Sequence, residues 1–250
     1  MPGVAIELRR IPLSVIFPTH GGTIRTEHSG VACASGEIRV TLYSFFRSSA
    51  AYRVRIALNL KGLDYTIAPI HLSKDGGQHK TPDYRAINPQ MRVPALALPS
   101  GAVLTQSLAI IEYLEETHPE PHLLPRDLVA RAQVRAVADI VACDIHPINN
   151  TAALNYLRSK LGHAEAEINA WYAHWITLGF EAIEPLIRPA PYAFGAQPSL
   201  ADVVLAPQVY NARRFNVPLD RFPKIVGVDA ECLKLAAFDR ARPENQPDAE

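Results

Sequence analysis

A chain of 250 residues, 48% of them hydrophobic, is long enough to bury one sizeable core or two smaller ones. Lysine plus arginine and aspartate plus glutamate each total 25, so the basic excess that phosphate backbones demand is missing, which argues against nucleic acid as the main partner. Cys33, Cys143 and Cys232 show neither CxxC nor paired spacing, which speaks against a disulfide framework or a cysteine zinc site, and no run approaches the roughly 18 apolar residues of a membrane span.

Residues 1–37 open the chain without periodic structure. "ELRRIPLSVIF" followed by "ACA" has a faintly leader-like order. Its apolar stretch is short, flanked by Pro12 and Pro18, and far from the small-residue site. The segment reads as a flexible extension or an upstream start. In "EIRVTLYSF", Ile38, Val40 and Leu42 alternate with Arg39, Thr41 and Tyr43, the period of a strand with one buried face. "RSSAAYRVRIALNLKG" follows as a helix with a glycine-terminated, cationic end at Lys61–Gly62. "DYTIAPIHL" predicts a second strand, "KDGGQH" a loop, and "TPDYRAINP" a short helix closed by Asn88–Pro89. "VPALAL" and "AVLTQ" predict short strands around a Pro-Ser-Gly turn, and "SLAIIEYLEETH" a helix. Pro119, Pro121 and Pro125 mark a stiff linker. From Arg126 onward "RAQVRAVADIVACDI", "AEAEINAWYAHWITLGFEAIEPLI", "SLADVVLAPQVYNARRF" and "IVGVDAECLKLAAF" are all helix-periodic. The fold class is therefore α/β plus all-α.

Several of these words carry chemistry, each with a structural alternative. Ser48–Ser49 stands at a helix mouth, where a serine caps for about 1 kcal/mol. The same unpaired N–H groups and helix dipole also stabilise a thiolate. Pro94 after extended Val93 suggests a cis bond or an ordinary edge strand. Gln106–Ser107 at a helix start offers a carboxylate site, or Ser107 is a plain N-cap. Pro147 in "ACDIHPINN" should break a helix and turn polar groups toward the cleft, though a lone histidine is more often structural. Ser199 and Asp202 form a capping-box variant. Arg213 and Arg214 suit a helix C-terminus, or a dicarboxylate.

The stretches "YSFFRSSAAYRVRIALNLKG", "INPQMRVPAL", "LTQSLAIIEYLEETHPEPHLLP", "ACDIHPINN", "SLADVVLAPQVYNARRF" and "NQPD", in this order, resemble the zeta class of glutathione transferases. That class includes the bacterial maleylacetoacetate and maleylpyruvate isomerases. The resemblance runs from Ile38 to Asp248. It implies a thioredoxin-like glutathione-binding domain over 38–119, a linker over 120–125 and an all-helical domain over 126–250. A homodimer, a cytoplasmic location, glutathione as cofactor and no metal are implied as well. The implied activity is glutathione-dependent cis–trans isomerisation of maleylacetoacetate to fumarylacetoacetate in aromatic amino acid breakdown, by thiolate addition, bond rotation and elimination. Maleylpyruvate as substrate, a general transferase activity and a non-enzymatic binding role stay open.

The same resemblance distributes the roles. Ser48, Ser49 and Arg214 are the implied catalytic residues. Glutathione contacts fall to Ser48, Ser49, Arg53, Gln78, His79, Val93, Pro94, Gln106, Ser107, His146, Asn149 and Asn150. Substrate contacts fall to Arg47, His146 and Arg214. In the family the proline at position 94 is cis, the backbone at position 93 pairs with the cysteinyl unit, and Gln106–Ser107 takes the γ-glutamyl end. Two positions depart: Ala50 stands where many relatives have cysteine, and Ala152 where several bacterial relatives have arginine.

Overall fold

The computed structural model describes residues 40–250. The extension expected over 1–37, its leader-like stretch and the expected first strand residue, Ile38, lie outside them. Alternation makes β1 (Val40–Ser44), with Leu42 fully buried. It feeds α1 (Ser49–Leu60), which returns the chain to β2 (Tyr65–Pro69), parallel to β1 with Leu42 opposite Ile67. A parallel pair requires such a crossover. The helix ends as Lys61–Gly62 predicts: Gly62 takes φ +64°, and the Leu63 N–H reaches back to the Leu58 carbonyl at 3.0 Å. The "KDGGQH" segment forms two tight turns, Lys74–Gly76 and Gln78–Lys80. Next comes α2 (Pro82–Ile87), capped by Thr81. The antiparallel strands β3 (Ala95–Ala97) and β4 (Val103–Thr105) then lead into α3 (Ser107–Thr117). The sheet order β2-β1-β3-β4, with helices α1 and α3, is a thioredoxin-like arrangement.

From Leu128 to Ala241 the named elements are helical: α4 (Leu128–Asp139), a π-helical segment (Ile140–Ile145), α5 (Thr151–Ser159), α6 (Glu165–Leu186), α7 (Leu200–Arg214), α8 (Pro223–Cys232) and α9 (Ala236–Ala241). Helix α7 is the centre, buried without interruption from Leu200 to Val209. The Ser199/Asp202 pair does what its spacing predicts. Fully buried Asp202 accepts from the Ser199 N–H and hydroxyl and from the Ala193 N–H, each at 2.7 Å. Helix α5 carries no strong sequence signal, and "IVGVDAECLKLAAF" is two helices rather than one. A turn at Leu233–Leu235 lets α9 bury Phe238 and Ala241. Among the described residues, no helix is long and apolar enough to cross a membrane.

Two buried cations tie the sheet region to distant chain. Lys61 Nζ donates to Glu115 Oε2 (2.7 Å) and to the carbonyls of His118 (2.7 Å) and Pro121 (3.0 Å). Glu115 in turn accepts the N–H groups of Leu123 and Leu124. Arg55 donates to Ser44 Oγ, the Phe46 carbonyl and the Ala241 carbonyl, at 3.0, 3.0 and 2.9 Å. Asp248 Oδ2 accepts the Phe46 N–H at 2.9 Å. The β1–α1 turn is thus held by residues from the far end of the sequence.

Candidate active site

Ser48 is the N-cap of α1, and its hydroxyl accepts the Ala51 N–H at 3.2 Å. The capping role is real, and it leaves the hydroxyl hydrogen free to donate. Buried Ser49 is the first helical residue, and its Oγ lies 3.0 Å from His146 Nδ1, 97 positions away in sequence. The π-helical segment delivers that histidine. His146 N–H bonds the Val141 carbonyl at 2.9 Å, five residues back. The helix therefore widens ahead of Pro147 and is interrupted there as expected, with residues 146–150 forming a turn before α5 begins at Thr151. Burial, then the charges of Arg53 and Arg92, push the imidazole down to about 3. At neutral pH the ring is uncharged, with one nitrogen donating and the other accepting.

Arg53 is buried, and Nη1 donates to Ser107 Oγ at 3.3 Å while Nε and Nη2 have no partner among the described residues. Burial lowers its pKa to about 10, so it stays cationic at neutral pH. A buried cation with unsatisfied donors is costly unless a ligand completes it. Ser107 is not the N-cap of α3; Gln106 is, at φ +68°, with Nε2 2.6 Å from Gln90 Oε1. A non-glycine residue in that region costs about 1–3 kcal/mol and clusters at ligand clamps. The Val93–Pro94 bond is cis, and Val93 is buried. Just before it, the Arg92 carbonyl is fixed by Tyr84 Oη (2.8 Å) and Asn88 Nδ2 (2.7 Å).

These residues line two adjoining spaces. A hollow of about 160 Å³ is bordered by Arg53, Pro94, Gln106, Ser107 and Ala50. A cleft of about 860 Å³ is bordered by Ser48, Ser49, His79, Asn149, Arg47 and Arg214. Val93, Arg92, His146 and Asn150 face both. Asn149 Nδ2 donates to the Tyr172 carbonyl at 3.1 Å, and its buried Oδ1 is unpartnered among the described residues. The expected pair Gln78 and His79 separates. His79 reaches the cleft, its pKa lowered by burial and then by Lys80. Gln78 turns into its own loop to accept the His71 N–H at 2.8 Å and does not line the cleft. Arg214 lies over Phe215 (4.8 Å) and Arg47 over Phe46 (5.0 Å), both guanidinium groups at the cleft wall. Arg213 turns away to Asp229 at 2.5 Å.

Electrostatics sets this region apart. Arg47, Lys80, Arg92 and Arg214 line the cleft and Arg53 the hollow, and no described aspartate or glutamate lines either. In a chain of zero formal charge, these five cations without a described carboxylate beside them make a locally positive site. Lys80, Arg92, Tyr172, Gln208 and Asn211 reach the cleft without having been expected from sequence. Arg92 alone carried a signal, as an unmatched cation next to Val93–Pro94; the others are brought in by packing. Ala152 faces the cleft and supplies no charge. Among the described residues, no His/Cys/Asp/Glu group could hold a metal ion.

Residues 47–117 match the family described as glutathione S-transferase, N-terminal domain. Over 207 residues the chain is 51% identical to maleylacetoacetate isomerase of Pseudomonas aeruginosa, covering 83% of this chain and 97% of the relative. A solved maleyl pyruvate isomerase, described as a bacterial zeta-class glutathione S-transferase, is 51% identical with a TM-score of 0.80, covering 84% of this chain and 100% of its own. The chain belongs to the zeta class of the glutathione transferase family. A further solved structure, maleylacetoacetate isomerase of Anaeromyxobacter dehalogenans with glutathione bound in its active site, is 41% identical with a TM-score of 0.76, covering 85% of this chain and 99% of its own. In this zeta-class chain the α1 mouth offers hydroxyls and N–H groups but no nucleophile. Among the described residues the one thiol lining these spaces, Cys143, is raised by burial and by Asp139 and Asp144.

Proposed function

We propose that this chain is a glutathione-dependent cis–trans isomerase of a maleyl-type diacid, converting maleylacetoacetate to fumarylacetoacetate, and that it works as a cytoplasmic homodimer. The observation that carries the reading is a cleft lined by four cations and no described carboxylate, opening onto a capped helix mouth. The residues present fit glutathione. Arg53 and Asn149 each hold buried polar atoms without partners, and the strained Gln106 leads into the Ser107 helix start.

The chemistry that glutathione brings when bound is a thiolate able to add reversibly to a conjugated double bond. Ser48 would donate its hydroxyl hydrogen to that sulfur, and the first turn of α1 would add N–H groups and its dipole. Gln106, Ser107 and Arg53 would take the γ-glutamyl end, the Val93 backbone the cysteinyl unit, and His79, Asn149 and Asn150 the remainder. Arg214 and Arg47 would hold the substrate carboxylates, and their fixed charge would stabilise the enolate character that develops between them. His146, neutral and hydrogen-bonded to Ser49, would orient the donors around that centre.

The test is turnover of maleylacetoacetate by purified protein with and without glutathione. Full-speed conversion after removal of every small thiol refutes the proposal. Maleylpyruvate is the second reading, because relatives of both names match at 51% identity. The ratio of kcat/KM for the two diacids decides between them.

A further inference from the structure

Helix α6 runs for 22 residues and places Gly179 in its interior. Glycine there weakens a helix relative to alanine, so the position calls for a reason. The reason lies on the π-helical segment. A Cβ at Gly179 would stand 2.3 Å from Ile145 Cδ1 and 2.5 Å from Ile145 Cγ1. Such contacts force a shift, and Ile145 is itself buried in a close-packed interior. Ile145 is the last π-helical residue, and the next residue is His146. Two further contacts from α6 secure the same stretch: Trp171 Nε1 donates to the Ile148 carbonyl at 3.1 Å, and the Tyr172 carbonyl accepts Asn149 Nδ2 at 3.1 Å.

We infer that Gly179 is a positioning residue for the active site. It forms the notch that seats Ile145, so that the widened turn aims His146 at Ser49 and brings Asn149 and Asn150 to the cleft. Single π-turns inserted in α-helices are frequent at functional sites because they rotate the following side chains. Here the rotated set is the polar edge assigned above to glutathione, and the inference rests on that reading. An added methyl at residue 179 pushes Ile145 outward and carries His146 and Asn149 with it. Displacement on the order of 1 Å at a binding edge costs up to about 100-fold in kcat/KM.

The experiment compares four proteins: wild type, Gly179→Ala, Gly179→Ala with Ile145→Ala, and Gly227→Ala. The last is a control, since Gly227 lies within α8 with nothing within 4 Å of an added Cβ. Melting temperature, glutathione affinity and kcat/KM are measured on each, with kinetics taken well below every transition. The expected result is a loss of about 10-fold or more in kcat/KM and weaker glutathione binding for Gly179→Ala. Gly227→Ala should match wild type. The double variant should regain most of the loss, because Ile145→Ala removes both clashing atoms. If Gly179→Ala lowers only the melting temperature while kinetics and binding match wild type, the inference falls and the notch is merely structural. It falls equally if the double variant is no better than Gly179→Ala. An inactive wild type would instead sink the proposed function, so the two failures are distinguishable.

Discussion

Replacing Lys61 with methionine tests how the sheet region is fastened to residues 118–124. The ammonium is enclosed, with a carboxylate and two carbonyls within 3.0 Å and no exposed side-chain surface. Methionine approximates its length and fills its apolar path, so the change isolates the loss of charge. Glu115 would then be a buried carboxylate supported by the N–H groups of Leu123 and Leu124 alone. Stripping one partner from a buried pair costs about 3–5 kcal/mol. For a chain of this size each kcal/mol moves the midpoint by about 2–4 °C, so Lys61→Met should melt about 6–20 °C lower by calorimetry. Adding Glu115→Gln removes the stranded charge while keeping an acceptor for Leu123, and should recover part of the loss. A single variant within about 2 °C of wild type, or a double variant lower than the single, would refute the reasoning.

Ser48→Ala should cut isomerase turnover by about 10²–10³, the scale of losing one donor to developing charge, with far smaller change in glutathione affinity by titration calorimetry. Arg214→Ala should raise KM for the diacid while leaving glutathione affinity intact, and an unaltered KM would count against its role. Arg53→Met should weaken glutathione binding without lowering the melting temperature, because it removes an unpaired buried charge along with the ligand contact. His146 titrates near 3 in the fold against about 6.5 unfolded, so the unfolded chain binds the extra proton between those values. Stability should therefore decline as pH falls below about 6.5, by up to about 1.4 kcal/mol per unit, and His146→Gln should flatten that decline in urea titrations.

Local rules carried the reading of the fold where neighbours in sequence decide the outcome. The Lys61–Gly62 stop, the Thr81–Pro82 start and the Ser199/Asp202 box follow from a few adjacent residues, whereas the cis Val93–Pro94 bond, which those residues leave open against an edge strand, comes from the family resemblance. Helix α5 and the division of α8 from α9 did not show, because packing against α6 and α1 decides them. The candidate site divides in the same way. Ser48, Gln106, His146 and Arg214 sit in motifs; Gln208, Asn211 and Tyr172 are ordinary helix positions until folding assembles them. Arg53 is singled out by the family resemblance alone, since nothing in "YRVRIAL" itself shows that its Nε and Nη2 stay unsatisfied while Arg55 finds three acceptors.

The hold that Ala241 and Asp248 exert on the Ser44–Phe46 turn has a consequence for biosynthesis. Phe46 and its Asp248 partner are separated by 202 positions. At ribosomal rates of about 5–20 residues per second, the helix mouth waits about 10–40 s before its last tether exists. Until the distal segment emerges, the turn lacks both the Asp248 acceptor and the Ala241 carbonyl that anchors Arg55.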